Sequence, residues 1–240
     1  MTRRRFYLVL AALFFALRLG ACPAWAAVGC DLNDPEKDVA RLFPGSTGFK
    51  AVTVEIQKIG DPKLLPRIEA RLRDKLRGLY ESVDVPYTIY VIYANDSKIG
   101  YIHGLNQKGR YGGIQIFLVL DLEQKIKNYY IQKMLGSYAA KFRDPDFEKQ
   151  FVGLTLADFD KYEVATGQAT GKVSEIKNPV PEADADFKYI LRGTKKNLIL
   201  TNEFLKASPD LAPRKPALAA GAAPKGVPPK ETPPKEVPPK

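Results

Sequence analysis

Four β-prone segments joined by short turns between Val85 and Met134 constrain this chain more than any other feature. Val85 to Ala94 leads through Asn95-Asp-Ser-Lys98 into a returning strand at Ile99 to Gly104, and Gly113 to Leu122 pairs with Ile126 to Met134 across a turn near Glu123 and Gln124. Runs of β-branched and aromatic residues separated by turn-formers read as hairpins, so the sheet is antiparallel. Val52, Val54 and Ile56, alternating with polar residues, add a strand with one wet face.

Helical patterns flank these strands. Asp34 caps a helix from Pro35 to Leu42 that Pro44-Gly45 ends. Leu65, Ile68, Leu72 and Leu79 recur at helical spacing over about Pro62 to Ser82, among Arg67, Arg71, Arg73, Lys75 and Arg77. Such a basic stripe is either a solvated face or a dock for an acidic partner or phosphate. Short helices follow near Ser137 to Phe142 and Pro145 to Phe151. A final one spans Asp184 to Leu205, with Phe187, Ile190, Leu191, Thr194, Leu198, Thr201 and Leu205 on one stripe. Gly193 within it costs about 1 kcal/mol against alanine, which points to close packing there. The class is α+β, an antiparallel sheet with helices packed on it.

The turn Gly109-Arg-Tyr-Gly-Gly113 opens directly into the apolar strand Ile-Gln-Ile-Phe-Leu-Val-Leu120, and Phe147-x-x-Gln-Phe-Val-Gly153 follows some thirty residues later. This arrangement, from about Ile99 to Leu205, resembles the periplasmic FMN-binding domains, including the flavin subunits of Rnf-type and sodium-pumping NADH:quinone reductases. The resemblance implies an FMN cofactor. Tyr111, Gly112, Gly113 and Gln115 would give close backbone approach and an aromatic wall, and Gln150, Gly153, Leu154 and Thr155 would give amide donors and an edge. Packing supplies the other explanation for Gly112 and Gly113, which let a strand begin beside a crossing helix.

In that family a Ser-Gly-Ala-Thr-like stretch at a helix start carries FMN through a threonine. Here the equivalent region reads Ile176-Lys-Asn-Pro-Val-Pro-Glu-Ala-Asp184, without threonine. The nearest imitation, Thr166-Gly-Gln-Ala-Thr170, is followed by Gly171 and a predicted strand, so covalent attachment at Thr170 is not expected. The resemblance therefore supports noncovalent flavin binding or an accessory role in envelope electron transfer, beside envelope redox proteins or a membrane complex. A cofactor-free binding or assembly module of such a complex is the alternative.

Catalysis has no further support in the residues. The single histidine, His103, lies on an alternating strand beside no nucleophile motif, and reads as structural. Asp158 with Asp160, and Asp184 with Asp186, sit where carboxylates cap helices. One histidine and one cysteine after residue 26 do not make a zinc site.

Arg3 to Arg5, the apolar run Phe6 to Leu17 and Ala24-Trp25-Ala26 form a secretory signal over residues 1–26. The apolar run is too short to span a bilayer, which takes about 20 residues, so no transmembrane segment remains after cleavage and the location is periplasmic or exported and soluble. Leu19-Gly-Ala-Cys22 offers a second route, a lipoprotein anchored through Cys22. Cleavage after Ala26 lowers the net charge from +10 to +6 and leaves Cys30 as the lone thiol, inert or bridged to another chain. That modest basicity in an exported chain argues against nucleic acid as a partner. Residues 27–206 form one α+β domain, and 207–240 a disordered tail rich in Pro, Lys and Ala, with Val-Pro-Pro-Lys repeats that bury nothing.

Overall fold

The computed structural model describes residues 29–78, 80–81, 85–209 and 211. The secretory signal, Cys22, Leu79, Ser82 and residues 212–240 of the tail lie outside the described residues. The fold is α+β. Helix α1 (Pro35–Leu42) and strand β1 (Gly48–Val54) lead through a 3-10 turn at Ile56–Ile59 to α2 (Leu64–Leu72). Strands β2 (Tyr87–Ala94), β3 (Ser97–Lys108), β4 (Gly113–Leu120) and β5 (Ile126–Lys133) follow. Short helices α3 (Ala139–Phe142), α4 (Pro145–Glu148) and α5 (Leu156–Phe159) and a ribbon of β6 (Tyr162–Glu163) with β7 (Gln168–Ala169) lead to the 24-residue helix α6 (Asp184–Ala207). The five long strands form one antiparallel meander in the order β1-β2-β3-β4-β5.

Both faces of the sheet are covered, which is why β4 reads as a nearly continuous apolar run. Ile114, Ile116, Leu118 and Leu120 belong to the core shared with α2 and α6, while Phe117 and Val119 pack with Cys30, Leu32, Val39 and Leu42 of the N-terminal segment and α1. A Cβ on Gly193 would lie 2.7 Å from Ile116 Cδ1, so the glycine lets α6 settle onto β4. The outer edge of β5 is closed by side chains. Ile131 N donates to Glu148 Oε1 at 2.8 Å, and Arg143 Nε donates to Ile131 O at 3.1 Å, leaving that rung unavailable to another strand.

The predicted Pro62 to Ser82 helix is shorter: α2 ends at Leu72, and Arg73 adopts a left-handed conformation with φ 56°. Its basic stripe is largely neutralised within the chain. Arg67 and Arg71 hold Glu203 of α6, Arg67 also holds Asp61, Arg73 holds Glu163, and Lys75 holds Glu69. The predicted strand after Thr170 is a 3-10 turn, Gly171–Glu175. The packed body also extends past 206. Leu211 is fully buried, and its carbonyl accepts from Tyr101 Oη at 3.1 Å and Lys98 Nζ at 3.0 Å. Among the described residues no helix is long and apolar enough to cross a membrane.

Candidate functional site

The glycine turn is the tip of the β3–β4 hairpin. Gly109 N donates to Gly112 O at 2.7 Å, and Gly112 takes φ +145°, a conformation that favours glycine. Gly113, opposite Lys108 in the ladder, lies beneath Tyr80; a Cβ there would sit 3.0 Å from Tyr80 Cε1. A side chain of the protein itself therefore fills the space that Gly113 opens. Tyr111 projects outward, 55 % exposed, with the Arg110 guanidinium 5.4 Å from its ring centre. It rests on Gly136, where a Cβ would come within 2.8 Å of its ring.

Helix α6 begins against this turn. Asp186, buried in its first turn, accepts from Arg110 N at 2.9 Å through Oδ1, and Asp184 beside it pairs with Lys188 at 2.9 Å. A helix start and a glycine-turn amide together attract an anion. Here the anion is the chain's own carboxylate.

The other predicted residues lie elsewhere. Gly153, at φ +87°, donates from its amide to Ile126 O at 2.7 Å, and Ile126 N donates to Leu154 O at 2.9 Å. Thr155 caps α5, its amide and hydroxyl both donating to Asp158 Oδ2. Gln150 is tied to the backbone of Lys177 in both directions. Ile126 pairs with Leu120 and Lys133 with Gln115. At about 3.4 Å per residue, the Gly153–Thr155 segment is thus separated from the glycine turn by about 20 Å of strand. Gln115 is near the turn but occupied, its Oε1 accepting from Gln132 Nε2 at 3.2 Å. Thr170 is exposed at the end of β7 and precedes a 3-10 turn, not a long helix. The structure therefore brings together Tyr111, Gly112, Gly113 and Gln115, and leaves Gln150, Gly153, Leu154, Thr155 and Thr170 apart from them.

The largest polar constellation is one the sequence reading missed. The β2–β3 register runs to Ile89 opposite His103, and β3 continues to Lys108. Helix α6 packs along this last stretch of β3. Lys196 Nζ donates to Asn106 O at 2.9 Å and to Glu81 Oε1 at 2.7 Å. Arg192 donates to Glu81, to Gln107 Oε1 at 2.9 Å and to Asp74 Oδ2 at 2.8 Å. Burial alone would raise the Glu81 carboxyl, but Lys196 and Arg192 outweigh it and hold its pKa at about 2. Burial lowers Lys196 to about 8 despite Glu81. The signal available in the sequence was Arg192 and Lys196, four residues apart on a helix whose neighbours are apolar.

His103 lies further along this seam, fully buried and lowered to about 4 by burial, its Nδ1 2.8 Å from Thr201 Oγ1. Cys30 is buried, which pushes its thiol well above the ordinary range and keeps it protonated. An open concavity of about 380 Å³, lined by Ile56, Gln57, Gly60, Asp61, Pro62 and Leu65, lies by α2. Its one carboxylate is already paired with Arg67. Among the described residues no cluster of three or more His, Cys, Asp or Glu is placed to hold a metal ion. In comparisons with known proteins, no family model and no curated sequence matches the chain.

Proposed function

We propose that this chain is an exported α+β module, similar to the FMN-binding domains, that works at the cell envelope without a bound flavin as a binding or assembly partner of a redox complex. The contact between Asp186 and Arg110 N supports this most strongly. A flavin phosphate seated at the start of α6 would compete with that carboxylate for the turn amide and meet the charges of Asp184 and Asp186 at close range. Tyr80 over Gly113 works against the ring in the same way. Export is supported by Arg3 to Arg5, the apolar run and Ala24-Trp25-Ala26, with attachment through Cys22 as the second route.

The exposed Tyr111 ring beside Gly112 favours one other reading, a noncovalent flavin stacked on that ring. Protein purified from its native host separates the two. A colourless preparation supports the cofactor-free module, and a stoichiometric flavin spectrum overturns it.

A further inference from the structure

Three of the large apolar side chains left exposed among the described residues meet at the tip of the β3–β4 hairpin, Tyr111 from the tip itself and Leu135 and Tyr138 from the segment after β5. Tyr111 is 55 %, Leu135 53 % and Tyr138 42 % exposed. They are neighbours: Gly112 lies against Leu135 Cδ1, Gly136 against the Tyr111 ring, and the turn from Gly136 to Ala139 carries Tyr138. Exposed aromatics and leucine contribute nothing to the core, so their clustering indicates a surface meant to be covered.

The rim of the patch has one sign of charge. Lys108 stands opposite Gly113, Lys133 opposite Gln115, Arg110 beside Tyr111, and Lys141 follows Tyr138 by one helical turn; all four are exposed. None pairs with a carboxylate among the described residues, whereas the arginines of α2 are paired. The course of the chain adds an independent observation. Gly29, the first described residue, has its carbonyl held by Asn106 Nδ2 at 3.1 Å, two residues along β3 from Lys108. A chain anchored through Cys22 would therefore leave the body at the end of the sheet that carries the patch.

We infer that this end lies on an anionic lipid surface, with Tyr111, Leu135 and Tyr138 entering the headgroup layer and Lys108, Arg110, Lys133 and Lys141 meeting its phosphates. Aromatic rings settle in that layer, and each basic residue near an anionic surface adds to the attraction. The inference shares with the proposed function only the export of the chain, and its test involves no flavin.

The test uses the chain from Ala27 onward, whose only tryptophan, Trp25, is then absent. A Tyr111→Trp variant should bind vesicles of phosphatidylcholine with phosphatidylglycerol, with a blue shift of its emission, and should ignore vesicles of phosphatidylcholine alone. In sedimentation with the mixed vesicles, Tyr111→Ser/Leu135→Ser should bind roughly tenfold more weakly than the native chain at unchanged net charge. Equal binding by that variant would assign the attraction to basic residues elsewhere, including the tail, and overturn the inference. No binding by the native chain would also overturn it. So would a dimer in gel filtration that the same double variant splits, since a second copy would then cover the patch.

Discussion

Within a few residues of each other at one end of the sheet, this protein treats positive charge in two opposite ways. Arg192 and Lys196 are withdrawn from water and held by Glu81, Asp74, Gln107 and the Asn106 carbonyl. Lys108, Arg110, Lys133 and Lys141 stand in solvent around an apolar patch, with no carboxylate partner among the described residues. The first arrangement belongs to the fold, because Lys196 ties α6 to the Asn106 carbonyl of β3 and Glu81 balances the two buried cations. The second completes nothing among the described residues. A charge cluster with every hydrogen bond satisfied is read as structure, and one left open beside exposed aromatics is read as contact with something else.

The largest effect expected from this contrast is at Glu81. Glu81→Gln leaves Arg192 and Lys196 buried without a counter-charge, and should lower stability by about 3–5 kcal/mol in denaturant unfolding. Glu81 also sets a pH window. Its folded pKa is depressed, so its contribution is full above the ordinary carboxylate pKa and is lost as pH falls toward about 2. The native chain should weaken across that range and the variant should not. Next is the end of the body: truncation after Ala207 removes Leu211 and strands the Tyr101 hydroxyl, for a loss of about 2–4 kcal/mol. Truncation after Leu211 should leave the melting temperature near that of the full chain.

At the tip, Gly113→Val should cost about 1–3 kcal/mol, because the new side chain meets Tyr80 rather than a vacant slot. The smallest effect is at Glu148, which burial raises to about 7. A raised carboxyl pKa gives stability that is full below the unfolded value and fades as pH rises toward 7. Glu148→Gln keeps an acceptor for Ile131 N without the charge. Thermal melts should favour it over the native chain by about 1 kcal/mol at pH 8, a figure discounted for partial exposure, and by nothing at pH 4.

Much of the fold could be read from the sequence because its signals are local. The Asp34 cap, the hairpin turns and the stripe of α6 each specify an element within a few residues. The end of α2 could not be read in this way. Leu76 and Leu79 keep the helical spacing, yet the chain turns at Arg73 to bring Asp74 and Glu81 to Arg192, a contact over a hundred residues distant. Leu211 was hidden for a related reason: one leucine in an Ala- and Pro-rich segment has no periodicity, and only its pocket near Tyr101 gives it a place. For the candidate site, the glycines could be seen but not what fills the space beside them. Tyr80 and Asp186 approach the turn from two other elements, and no spacing rule connects them to it.

Whether Asp186 takes the place of an anionic ligand at the turn is tested most directly by titrating the native chain with FMN and following flavin fluorescence together with the melting temperature. No saturable quenching and no thermal shift are expected up to about millimolar FMN, the weakest range in which a specific site would register. Saturable quenching with a rise in melting temperature, abolished by Gly113→Val in a variant that remains folded by circular dichroism, would contradict this role of Asp186 and restore the turn as a flavin site.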